Sequence, residues 1–148
     1  MYRYILLLLS ILVFAGCQIE DKKHRDVSAV SEKFYAKLKR NDQHGAVKLF
    51  SRKTLQQQGA EPLEQYLKRM YVAHGAIVSR VVAGSVEKTS TQLGSASKHV
   101  LIQRFNVTYS DGYASQEELS YDLTDRKLSI TSYRVMDKGS EWTSAESL

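Results

Sequence analysis

The sequence predicts an α+β domain in which two to three N-terminal helices pack on a curved, four-stranded antiparallel sheet. Apolar residues recur at three- and four-residue spacing as far as His74, and at two-residue spacing beyond Gly75. That change of period separates helix from strand. Turn residues at 110–112 and 124–127 then divide the second half into short strands, as antiparallel hairpins require. Helices first and strands afterwards give segregated layers, whereas a parallel sheet would alternate them.

From Asp26, Val27, Val30, Phe34 and Leu38 form an apolar stripe with Tyr35 beside it, while Lys33, Lys37, Lys39 and Arg40 lie largely off it. This is an amphipathic first helix. Asn41-Asp42 breaks it and can cap a second, short helix carrying Ala46, Val47, Leu49 and Phe50. Ser51 to Gly59 is polar and reads as irregular chain or a frayed extension of the helix before it. Glu61-Pro62 opens the next helix, with proline in the first turn, where its missing N–H costs nothing. Leu63, Tyr66, Leu67, Met70 and Tyr71 make its apolar face, and Gly75 stops it.

Ala76 to Lys88 reads as the first strand, with Gly84 marking a bend or bulge. A Ser/Thr/Gly loop from Thr89 to Ser97 leads to the second strand, His99 to Tyr109, with Leu101, Phe105, Val107 and Tyr109 on one face. Ser110-Asp111-Gly112 is a hairpin turn between Tyr109 and Tyr113. In the third strand Leu119, Tyr121 and Leu123 alternate with Glu118, Ser120 and Asp122. The fourth runs from Leu128 to Met136, and its apolar phase shifts between Ile130 and Tyr133, which calls for a bulge. Residues 138–148 form a polar tail that Trp142 could dock.

The chain ahead of this domain has a different character. Arg3 is the only charge before Glu20, and an apolar run from Tyr4 to Ala15 ends in Gly16-Cys17. A basic start, a short hydrophobic core and small residues at the end form the pattern of a secretory signal peptide. The run is shorter than the roughly 20 residues that span a bilayer. Phe14-Ala15-Gly16-Cys17 resembles the lipobox of bacterial lipoproteins, usually Leu-(Ala/Ser)-(Gly/Ala)-Cys; Ala15, Gly16 and Cys17 match, and Phe14 replaces leucine with another bulky apolar residue. The resemblance implies cleavage between Gly16 and Cys17, diacylglycerol on the Cys17 thiol, and a further acyl chain such as palmitate on its amine. Gln18 stands where Asp favours inner-membrane retention in Gram-negative lipoproteins, so the resemblance implies an outer-membrane anchor facing the periplasm. Residues 1–16 are thus the signal, and 17–25 the lipidated cysteine and tether. The eight residues from Gln18 to Arg25, at ~3.3 Å each, reach at most about 26 Å. Cys17 is the only cysteine, so no intrachain disulfide supports the domain at 26–137.

Without the signal the chain carries 20 Lys or Arg against 16 Asp or Glu. Asp21 to Lys53 holds ten basic and four acidic residues, while Asp111 to Leu148 holds eight acidic and four basic. The basic half adjoins the anchor. Such a bias suits anionic headgroups or envelope phosphates, and equally a solvated helix face.

The element order, with the Tyr109-Ser-Asp-Gly-Tyr113 hairpin, resembles the nuclear-transport-factor-two-like (SnoaL-like) superfamily over roughly Asp26 to Met136. That resemblance implies a cone, with helices closing one side of a bent sheet. A cystatin-like sheet wrapped round one helix is the alternative. Tyr66, Tyr71, Phe105, Tyr121 and Tyr133 fall on apparent inner faces, where polar-tipped aromatics line a ligand cavity or fill a core.

No catalytic constellation is legible. The histidines at 24, 44, 74 and 99 lack metal-ligand spacing, no glycine-rich phosphate loop occurs, and no cofactor is implied. Acid–base chemistry of the cone superfamily would fall to His74, His99 or Asp122. Nucleic acid is not an expected partner, because the chain is exported and lacks interleaved basic and aromatic strand residues. The expectation is a non-enzymatic, membrane-anchored envelope lipoprotein that binds a protein or envelope component near the membrane. The alternatives are a carrier or sensor of a small apolar ligand and an enzyme of the same fold.

Overall fold

A computed structural model describes residues 26–90, 97–125 and 127–137. The signal, Cys17 and Gly16, the tether and the polar tail lie outside the described residues. Helix α1 covers residues 26–39. It is followed by α2 (Gln43–Val47), α3 (Arg52–Gln58) and α4 (Ala60–His74). Strands β1 (Ile77–Ser90), β2 (Lys98–Tyr109), β3 (Ala114–Asp122) and β4 (Ile130–Asp137) form one antiparallel sheet in the order β1-β2-β3-β4. The α+β class is as expected. None of the described helices is long and apolar enough to cross a membrane.

Among the described residues four helical segments stand where the sequence reading has two or three, because residues 52–58 form a helix of their own rather than irregular chain or a frayed extension. The reason is tertiary. Ser51 accepts the Thr54 N–H at 3.1 Å, and the Thr54 hydroxyl donates to the Thr131 carbonyl of β4 at 3.0 Å. Those bonds supply what the polar Arg52–Gln58 pattern does not. Just before α3, Phe50 pairs with Ile130 as a parallel bridge, with Ser51 N to Ile130 O at 2.8 Å and Ile130 N to Leu49 O at 2.9 Å. The linker thus extends the sheet beyond β4.

Other local readings hold. Asn41 adopts φ +58, ending α1, and Asp42 caps α2 by accepting the Gly45 N–H at 2.8 Å while pairing with Lys37 at 2.9 Å. At the end of α4, Gly75 has φ +78 and ψ −156, a conformation essentially confined to glycine. The β1–β2 register shifts between Val82 and Gly84, so the bulge falls beside Gly84. Tyr121 pairs with Ile130 but Ser120 with Ser132, leaving Thr131 as the extra residue that returns Tyr133 to the inner face. Gly112, with φ +88, closes the Tyr109–Tyr113 hairpin.

The core lies between the helices and one face of the sheet. Val27, Phe34 and Leu38 of α1 and Leu67 of α4 are buried against Leu101, Phe105, Val107, Leu119 and Tyr121. At about 25 cal/mol per Å² of apolar surface removed from water, such burial is the dominant favourable term.

Candidate functional site

Within this core one charged side chain is wholly enclosed. Glu117 of β3 has no exposed surface, because it shares the inward phase of its strand with Leu119 and Tyr121. Four hydroxyls converge on it. Tyr109 donates to Oε1 at 2.6 Å and Ser115 to the same oxygen at 3.1 Å. Tyr35 donates to Oε2 at 3.0 Å and Tyr133 to Oε2 at 2.9 Å. The donors come from α1, β2, β3 and β4, so the carboxyl ties the helical layer to three strands.

Burial raises the Glu117 pKa, and the four donated bonds oppose that shift. Burial also raises the phenol pKa values of Tyr35, Tyr109 and Tyr133, with the Glu117 charge adding to it. The phenols therefore remain protonated and act as donors.

A second polar cluster sits nearer the start of α1. The Ser31 and Tyr121 hydroxyls share a 2.6 Å hydrogen bond, and Ser31 also meets the Gln103 side-chain carbonyl and the Val27 carbonyl. Arg80 lies over the Tyr35 and Phe105 rings, 4.7 and 4.9 Å from their centroids, and pairs with Glu32.

Beside the Glu117 cluster, Leu38, Leu67, Met70, Tyr71, Tyr109 and Tyr133 help to line a pocket of about 20 Å³, room for one water. Of the five expected cavity residues, Tyr71 and Tyr133 line it and the other three do not. Phe105 and Tyr121 are buried in packed core, and Tyr66 packs edge-on against Tyr133, their centroids 6.2 Å apart. The aromatic interior is filled by ring packing and by Glu117.

The acid–base candidates are not brought together. His74 pairs with Asp111 at 2.9 Å and stacks on Tyr113, with centroids 3.8 Å apart, at the hairpin end of the sheet. Asp122 lies at the other end of β3, where it accepts the Thr124 N–H at 2.9 Å. His99 pairs with Glu87 at 2.6 Å, and His44 with Glu64 at 3.1 Å. Each of these histidines has one carboxylate partner; among the described residues no three metal-ligating side chains converge.

Sequence reasoning missed Glu117. The available signal was a glutamate on the apolar phase of β3, two residues before Leu119. Comparison of the chain with protein-family models finds no match, and no curated protein is significantly similar to it.

Proposed function

We propose that this chain is a membrane-anchored envelope lipoprotein, held by lipid on Cys17, whose domain is non-enzymatic and binds a protein or envelope component close to the membrane. The observation that carries the reading is the signal-like start ending in Phe14-Ala15-Gly16-Cys17. The tether, at most about 26 Å long when extended, would keep the domain within reach of the bilayer surface.

The interior supports a binding role on the surface over chemistry inside. The wholly enclosed carboxyl of Glu117 is engaged by four hydroxyls, and the pocket beside it has the volume of a single water. The helical layer on an antiparallel sheet suits the cone-like superfamily named above. Four helical segments count against a cystatin-like arrangement around one helix.

In-cell cross-linking of the full chain, tagged at its C-terminus, tests the reading. The expected result is a dominant envelope protein or lipid adduct. Reproducible turnover of a substrate by the purified protein, abolished by changing a residue of the Tyr109–Tyr133 pocket, would replace this reading with an enzymatic one.

A further inference from the structure

We infer that a basic groove at the tether end of the domain docks the anionic headgroups of the bilayer to which the chain is anchored; this rests on the lipid-anchored reading above. The groove has a volume of about 700 Å³ and lies between the α2–α3 linker and the β3–β4 connection. Lys48, Arg52 and Lys53 line it from one side and Lys127 from the other, and all four are exposed. No acidic partner is recorded for these four among the described residues. Asp125 is the one acidic residue in the lining. Leu49, Leu55 and Leu128 are half-buried in its floor, and the Ile130 pairings with Leu49 and Ser51 hold the two walls together. The charges thus stand on a fixed frame.

The position of the groove follows from the direction of α1. Ser31, near its start, meets Gln103 and Tyr121. Leu38, near its end, lines the small pocket with Ile77 and Tyr109. The helix therefore runs from the side where β3 leaves the sheet at Asp122 toward the 109–113 hairpin. Asp125, Lys127, Leu128 and Ser129 lie between β3 and β4 on the side where α1 begins, so the groove and the first residues of α1, which follow the tether in sequence, share one end of the domain. Lys22, Lys23 and Arg25 precede α1 in the sequence.

Charge complementarity selects the occupant. Four cations on one backbone frame facing a surface of lipid phosphates gain from each cation brought within a Debye length, about 8 Å at physiological salt. The anchor supplies the proximity and the groove supplies the orientation. Docked this way, the Tyr109–Tyr113 hairpin, where Asp111 pairs with His74, faces away from the bilayer.

The test uses the lipidated protein purified in detergent and reconstituted into vesicles. Vesicles of phosphatidylcholine alone are compared with vesicles in which one-third is phosphatidylglycerol. A water-soluble amine reagent labels exposed lysines, and mass spectrometry reads each site. The expected result is labelling of Lys48, Lys53 and Lys127 reduced about threefold or more on the anionic vesicles, restored by high salt, with Lys39 and Lys68 unchanged. Equal labelling on both vesicles, with the acyl chains present on the Cys17 peptide, overturns the groove proposal and leaves the anchor standing. Protection by inorganic phosphate on phosphatidylcholine vesicles makes the groove a soluble-anion site and also overturns it. An unacylated N-terminal peptide refutes the anchor reading instead. In that case salt-sensitive co-sedimentation of the unlipidated chain with phosphatidylglycerol vesicles, lost in Lys48→Ala/Arg52→Ala/Lys127→Ala, still decides for the groove, and its absence decides against it.

Discussion

Glu117 is buried with no cationic partner among the described residues, so its place in the core depends on the four hydroxyls around it. Each buried polar group left unsatisfied costs ~1–3 kcal/mol, so Glu117→Leu, which strands Tyr35, Tyr109 and Tyr133 together, is expected to cost about 3 kcal/mol or more. Chemical denaturation of the variant checks this, and a loss under about 1 kcal/mol would mean that the hydroxyls find other partners. Glu117→Gln keeps the shape and removes the titration. A carboxyl whose pKa is raised by folding contributes stability below its unfolded pKa and loses it as pH rises through the folded value. Wild type should therefore gain on Glu117→Gln as pH falls from neutral toward the ordinary glutamate range. The paired surface carboxylates Asp42, Glu64 and Asp111 have lowered pKa values and act in the opposite sense, but they are common to both proteins and cancel in the comparison. Melting temperatures at several pH values read the difference; a gap that stays constant would show that Glu117 does not titrate in this range. The glutamate's inward phase was legible in β3, but its ring of donors was not. Tyr35 and Glu117 are 82 positions apart, and no local pattern connects them.

The elements divide by what holds them. The Tyr109–Tyr113 hairpin, the Gly75 stop and the bulge before Tyr133 were all readable, because turn chemistry and strand parity are local properties. Helix α3 was not, because Arg52–Gln58 has Leu55 as its only large apolar residue, and its support comes from Ser51 and from the Thr54 bond to β4. The Gly75 junction gives the sharpest test at this scale. A Cβ there would sit 2.1 Å from Ser110 Oγ, on a backbone at φ +78 and ψ −156. Gly75→Ala is expected to cost about 1–3 kcal/mol, read by thermal or denaturant unfolding. A neutral outcome would mean that α4 and the hairpin shift apart without loss.

At the scale of the whole molecule the sequence divides into a signal-like apolar start and a domain. The fold class was legible because the hydrophobic period changes once, at Gly75. The sheet order followed from short connections between successive strands. The spatial sorting of charge was only half legible. The basic bias of the first third is visible in composition, but bringing Lys127 beside Lys48 and Arg52 needs the Ile130 pairing with Leu49 and Ser51. The proposed lipid on Cys17 is the central claim, and metabolic labelling with radioactive palmitate of cells producing wild type or Cys17→Ser tests it directly. Label is expected in the wild-type band and none in Cys17→Ser, with accumulation of the uncut precursor in that variant. Equal label in both, or a wild-type band that carries none, would contradict it.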